Sequence, residues 1–406
     1  AAEVGYVDDF QRAQYSALMI GLSQGGKGFA YLPLFLVTRQ FGEGWVLKSA
    51  SQILYVASGL QSLGTAVFLW FSFYSRRYSS AHIWLLLARL VLGCGAGAAL
   101  FSSRFCIAKT CSKAEQPQHF STNIFYRMLG LAAGPLFSAL TRWALNGMGA
   151  EKSSEGAASL QIGICVAMIA SASALPQVAS SDEIAADSQH AALDTFTLKS
   201  HRVGIIGCCV VALIRSMVVA GLEAATAMIF EKKPFEFDTS TAGLIVSFTF
   251  LACIPQRLMF ARYRSNFSTV TWIRFSIVCS LVGSLMLLEI VSNIFGTGLR
   301  ARLAMLILAD SVLFPSFMLA SGLTEGLAQT LSLPEGSSFS PANVAFILVI
   351  CIDVLGRFPG PYFARVHIAA QGQDGYAMQQ FVLSLLCLAI LEAVVFPHLR
   401  VARPEQ

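Results

Sequence analysis

The sequence predicts an all-α, polytopic membrane protein, and three observations carry that expectation. Long apolar runs recur along the chain. Only 13% of its 406 residues are charged, about half the 25% of a soluble domain. The mean hydropathy is +0.63. A spanning helix needs about 20 mostly apolar residues. By that measure eleven spans are expected, over 15–37, 49–73, 82–103, 122–143, 159–177, 203–229, 241–260, 271–291, 302–323, 342–364 and 376–397. The longest polar link carries Ser180-Ser181-Asp182-Glu183 and Asp187, a composition that buries too little apolar surface to offset ordering. It divides the chain into a half-bundle of five helices over 1–177, a linker over 178–202 and a half-bundle of six helices over 203–406.

The same composition excludes several classes of function. The net charge of +5 belongs to the links between spans, and no basic, aromatic-interleaved stretch points to a nucleic-acid partner. Most of the ten cysteines, among them Cys94, Cys165, Cys208, Cys209, Cys253, Cys279, Cys351 and Cys387, fall in apolar spans, where cysteine behaves as a small hydrophobe. No C-x-x-C occurs and the histidines do not cluster with cysteines, so neither a metal nor another cofactor is expected. No charged n-region followed by a short apolar core opens the chain, so no signal peptide is expected. Gly93-x-Gly95-x-Gly97 has no strand before it and no G-K-[ST] after it, so it is not a phosphate loop. No enzymatic activity is expected.

The stretch from Ala88 to Phe137 is the most informative. Arg89 sits in an apolar run and is followed by Gly93, Gly95 and Gly97. Glycines let membrane helices approach closely, because packing must replace the absent hydrophobic force. Gly130-x-x-x-Gly134-Pro135 then reads as a close-packing face ended by a helix-distorting proline. The run R-x-x-x-G-x-G-x-G resembles the fourth-helix motif of the major facilitator superfamily, and G-x-x-x-G-P resembles its fifth-helix motif. With Cys106-Ile-Ala-Lys-Thr110 between them, the order is most similar to the branch holding the lysosomal ceroid-lipofuscinosis-type transporters and the SPX–MFS vacuolar phosphate carriers. The resemblance implies two pseudo-symmetric helical halves around a midplane site, a lipid bilayer and a small solute as partners, and a monomer. It also implies a vacuolar or lysosomal-type membrane or the plasma membrane.

An internal repeat extends this reading. Leu129-Gly130-x-x-x-Gly134-Pro135-Leu136-Phe137 matches Leu355-Gly356-x-x-x-Gly360-Pro361-Tyr362-Phe363. Facilitator halves are parallel repeats of six helices. The second copy lies on the fifth helix of its half and the first on the fourth, so the expectation is that one opening helix is absent. On that count Pro33-Leu34-Phe35 and Arg39 stand where the family carries a loop motif after helix two, in a degraded form. The Lys and Arg residues of the links are almost evenly shared between the two sides, with a slight excess that would put residues 38–48 in the cytoplasm.

Charges inside spans are the candidate functional residues, since they are costly in a membrane and face protein or water. Basic groups predominate: Lys27, Arg89, Arg127, Arg215, Arg274 and Arg357, against Glu223, Asp310 and Asp353. Lys27 stands about 18 Å into its span at 1.5 Å per residue, between Gly25, Gly26 and Gly28. Lys27, Arg215 and Arg127 are the candidate substrate contacts, with structural ion pairs or interfacial snorkelling as the alternative. Arg89, Glu223, Asp310, Asp353 and Arg357 are candidates for coupling or ion pairing. Asp353 and Arg357, four residues apart, can meet on one helical face. Glu223 or Asp310 would carry a proton. The expected function is a secondary-active transporter working by alternating access, for a small anion, phosphate or chloride by resemblance. An organic-solute or drug facilitator, an anion channel and a non-transporting scaffold are the alternatives.

Overall fold

The computed structural model describes residues 9–74, 80–144, 195–231, 234–296, 298–334 and 336–402, with a few helical positions between 160 and 170. Most of the expected span 159–177 and most of the linker 178–202 lie outside them; residues 195–202 are already helix. The helices are α1 (Asp9–Phe41), α2 (Glu43–Lys48), α3 (Ala50–Leu69), α4 (Ala81–Thr110) and α5 (Gln116–Ala144). They continue as α6 (Thr195–Glu231), α7 (Thr239–Leu251), α8 (Cys253–Tyr263), α9 (Thr269–Met286) and α10 (Glu289–Phe295). The last are α11 (Leu299–Thr330), α12 (Pro341–Val349), α13 (Gly360–Ile390) and α14 (Phe396–Ala402). No strand occurs among the described residues. Eight stretches are long and apolar enough to cross a membrane, and the chain is a multi-pass integral membrane protein. The last stretch, Pro341–Leu399, is 59 residues long, the length of more than one crossing.

The helices outrun the spans read from hydropathy. α4 has 30 residues, α11 has 32 and α6 has 37. Hydropathy marks where a helix is apolar, not where it stops; α4 and α11 go on past their apolar runs because polar groups there find partners inside the protein. Helix starts are set by side chains that accept from free backbone N–H groups. Asp238 caps α7, Ser268 caps α9, and Ser340 caps α12 ahead of Pro341. The span expected at 241–260 is broken at Ala252 into α7 and α8. The polar link expected between the last two spans is itself helical, and the chain turns at Gly372, with φ 72° and ψ −164°, a conformation open to glycine. The loop motif expected at Pro33 to Arg39 is not a loop: α1 runs through Pro33 to Phe41, and Thr38 donates its hydroxyl back to the Leu34 carbonyl at 2.6 Å.

Glycines decide how closely the helices meet. α4 packs between α1 and α3. A Cβ at Gly93 would collide with the Ser23 carbonyl of α1, and one at Gly97 would lie 2.6 Å from the Lys27 carbonyl. A Cβ at Gly95, on the other face, would lie 2.5 Å from the Ala57 carbonyl of α3. The repeated glycine–proline motif behaves differently in its two copies. Gly356 and Gly360 press against Leu213, Ser216 and Met217 of α6, and Pro361 is buried beside them. Among the described residues, a methyl group added at Gly130 or Gly134 would meet nothing within 4 Å, so no described helix forms the close-packing face expected there. Nor does Pro135 end the helix; α5 continues to Ala144, with Pro135 beside Gly243 of α7. The glycine pair that does hold α5 is on α11: Gly322 abuts Ser121 and Gly326 abuts Pro117. Apolar clusters fill the space between α5, α6, α7, α11 and α13, and between α1, α3, α4 and α12.

Candidate functional site

One face of α1 presents Gln24, Lys27 and Tyr31, spaced so that all three project the same way. They meet charged side chains from five other parts of the chain. Arg104 comes from the end of α4, Arg127 from α5, Glu223 from α6 and Glu325 from α11. Asp353 comes from a π-helical turn, Ile350–Gly356, that follows α12, and Arg357 directly follows it. The turn closes with Arg357 N–H donating to the Ile352 carbonyl at 2.8 Å; such turns widen a helix and frequently sit at functional positions.

Asp353 is the hub. Its Oδ1 accepts from Lys27 Nζ at 3.2 Å and faces Arg127 Nη2 at 3.8 Å. Its Oδ2 accepts from the Tyr31 hydroxyl at 2.8 Å and from Arg104 Nη1 at 3.3 Å. Arg104 Nε donates to Glu325 Oε2 at 3.0 Å. Arg357 Nη2 donates to both oxygens of Glu223, at 2.6 and 2.7 Å, and its Nε donates to Gln24 Oε1 at 3.2 Å. Lys27 Nζ donates to the same Gln24 oxygen, which ties the two parts together. Asp353 is 0% exposed and Lys27 8%. Charges this deep are stable only when paired, because each loses its hydration.

The polarity of the cluster follows chain order. Lys27, Arg104 and Arg127 precede residue 145; Glu223, Glu325 and Asp353 follow residue 194. Cations of the first group of helices therefore face carboxylates of the second. With Arg357 the cations exceed the carboxylates by one. Arg104 Nη2 is buried with no hydrogen-bond partner, so the cluster holds an unused donor.

The structure brings Lys27, Arg127, Glu223, Asp353 and Arg357 together and leaves Arg215, Arg89, Asp310 and Arg274 elsewhere. The direct pair expected between Asp353 and Arg357 is not formed, since each is taken by other partners: Asp353 by Lys27, Tyr31 and Arg104, and Arg357 by Glu223 and Gln24. Arg215 is 0% exposed, but its Nη2 donates to the Ser316 carbonyl at 3.0 Å and to that of Phe317, and its guanidinium lies over the Phe317 ring. It braces α6 against α11, with no tie to Lys27. Arg89 lies 4.5 Å from the Phe68 ring centre, between α3 and α4. Asp310 is buried and accepts from the Thr226 hydroxyl at 2.9 Å. Arg274 pairs with Glu392 on a half-exposed face.

Sequence reading missed Arg104, Glu325, Tyr31 and Gln24. Arg104 and Glu325 stand just beyond the spans expected at 82–103 and 302–323, and a charge at a span end is ordinarily an anchor at the interface. Gly21-Leu22-Ser23-Gln24-Gly25 does have the spacing of a hydrolase nucleophile elbow. It lies inside α1, without the strand-to-helix turn that exposes such a serine.

Several solved structures share this arrangement of helices. A D-xylose–proton symporter aligns with a TM-score of 0.67 at 13% identity, over 95% of this chain and 88% of that one. The xylose transporter XylE from E. coli, in a partially occluded inward-open conformation, aligns with a TM-score of 0.66 at 13% identity, over 96% and 89%. The major facilitator superfamily transporter FucP, in its outward conformation, aligns with a TM-score of 0.61 at 13% identity, over 99% and 92%. No protein-family model matches the chain, and no curated protein does. At this identity the likeness is one of architecture, and it establishes that the chain has the major facilitator fold.

Proposed function

We propose that this protein is a secondary-active carrier for a small anion, working by alternating access around the cluster of Lys27, Arg104, Arg127 and Asp353. The observation that carries the proposal is the convergence of three cations from the first group of helices on one carboxylate from the second. Rocking two half-bundles apart would separate these charges, and an anion entering from one side would take the place of Asp353 against Lys27 and Arg127. The charge excess of one and the unused Arg104 donor favour a negative solute over a neutral one. The likeness of the Arg89-to-Gly97 run to the vacuolar phosphate-carrier branch supports inorganic phosphate first and chloride second. The domain reading that goes with it is a five-helix half over 1–177 and a six-helix half over 203–406.

Flux of labelled phosphate, chloride and a neutral pentose into proteoliposomes tests this. Saturable uptake of one anion, reduced at least about tenfold by Arg127→Ala, equivalent to about 1.4 kcal/mol of lost interaction, is the expected result. Pentose uptake without anion uptake, or anion uptake indifferent to Lys27→Ala and Arg127→Ala, would overturn it.

A further inference from the structure

A second polar site lies within the packing of α6, α11 and α13, apart from the cluster around Asp353. Asp310 on α11 is 1% exposed and sits among the apolar side chains of the main cluster. Its Oδ2 accepts from the Thr226 hydroxyl on α6, and its Oδ1 has no partner. Tyr376 on α13, in the same apolar cluster, is equally buried and its hydroxyl also lacks a partner. Gln380, one turn on from Tyr376, is buried with its Oε1 unpaired. The second oxygen of Asp310 therefore lies in a dry, apolar region with no hydrogen supplied to it.

Charged groups on the surrounding helices are engaged elsewhere. Arg127 on α5 faces Asp353. Arg215 on α6 is held by α11 carbonyls, and Glu223 on α6 by Arg357. Arg274 on α9 is paired with Glu392, and Cys279 on α9 bonds to Ser316. Arg257 on α8 donates to Ser121 and Thr122, and Glu289 opens the surface helix α10. On α13, Arg365 interacts with Glu231 of α6, and His367 bonds to the Phe363 carbonyl. Among the described residues no cation pairs with Asp310, and its one hydrogen-bond donor is the Thr226 hydroxyl. A buried carboxylate with no cation bears the full cost of desolvation, and in practice such a group takes up a proton instead.

We infer that Asp310 is a proton-binding site of this protein, the proton residing on Oδ1. The step is simple in its balance: one proton from water adds to Oδ1, the carboxylate becomes a neutral acid, and no bond between heavy atoms changes. Thr226 and Glu223 lie three apart on α6, so Asp310 stands one helical turn from the edge of the Asp353 cluster. Glu223, the other candidate proton carrier, accepts two bonds from Arg357 and so has a cationic partner that Asp310 lacks. As the coupling ion's site, Asp310 rests on the carrier reading; as a protonated carboxyl it does not.

Infrared spectroscopy of the full chain in lipid, without any transported solute, tests it. The expected result is a protonated-carboxyl C=O band at neutral pH that Asp310→Asn abolishes and Thr226→Val displaces, since Oδ2 then loses its hydrogen bond. Absence of the band from the unmodified protein, its survival in Asp310→Asn, or its indifference to Thr226→Val would each overturn the inference. Thr226→Val keeps the test alive should Asp310→Asn fail to fold. A band without anion flux refutes only the carrier reading, and anion flux without a band refutes only the proton site.

Discussion

Asp353 and Asp310 are both fully buried, and the protein treats them in opposite ways. Asp353 has Lys27, Arg104 and Arg127 around it and a tyrosine hydroxyl besides. Asp310 has one threonine hydroxyl and an empty second oxygen. Burial therefore says little about what a carboxyl in this fold does; the difference lies in whether cations reach it. Asp353 holds two groups of helices together through charge. Asp310 sits inside one group, where neutralisation by a proton replaces neutralisation by a partner.

The largest expected effect separates the two directly. Asp353→Asn strips three buried cations of their shared counter-charge, and breaking a buried pair from one side costs about 3–5 kcal/mol. Asp310→Asn keeps the shape, and its amide oxygen still accepts from Thr226, so the cost is about 1 kcal/mol or less. Thermal unfolding of the two variants in the same detergent should show a large drop in midpoint for the first and a small one for the second. Equal drops would mean that Asp310 is ionised and held by a group the geometry does not reveal.

A second contrast concerns the two copies of the glycine–proline motif and the glycine run of α4. Gly97→Ala places a methyl group 2.6 Å from the Lys27 carbonyl and must push α1 away from α4, a cost of about 1–3 kcal/mol. Gly134→Ala meets open space and should gain up to about 1 kcal/mol of helix propensity. Unfolding midpoints that move in opposite directions would confirm that only one glycine run packs. A loss at Gly134 as large as at Gly97 would mean that the face of α5 is covered in the membrane.

That contrast also shows what the sequence could and could not reveal. The all-helical, multi-pass fold was legible because apolar runs of spanning length have few other uses. Lys27 and Asp353 were legible as buried charges because each lies deep in such a run. Arg104 and Glu325 were not, because hydropathy ended their helices a few residues early and made them look like surface anchors. The Gly130–Gly134 copy was misleading for a related reason: a glycine pair permits close approach without providing the neighbour. Gly322 and Gly326, in the same spacing, have that neighbour in Pro117 and Ser121. The change of partners at Asp353 and Arg357 rests on residues far off in sequence, Lys27, Arg104 and Glu223, which residue spacing alone does not disclose.

The smallest expected effect uses an aspartate in water as the reference for the two in the membrane. Asp238 lies outside the spans and caps α7, accepting from the Ser240 and Thr241 N–H groups at 3.0 and 3.2 Å. The Thr241 hydroxyl bond, reinforced by those N–H bonds, holds its carboxyl below the ordinary carboxylate value. A depressed value stabilises the folded form above the unfolded value of about 3.9, and that stabilisation fades as pH falls through the lower, folded value. The first turn of α7 should accordingly fray in acid. Hydrogen exchange at Ser240 and Thr241, corrected for intrinsic rates, should quicken below about pH 4 in the unmodified chain. It should stay level in Asp238→Asn, since asparagine caps a helix nearly as well but carries no proton to gain. Identical acid fraying in both would mean that the cap hydrogen bonds, and not the charge, set the start of α7.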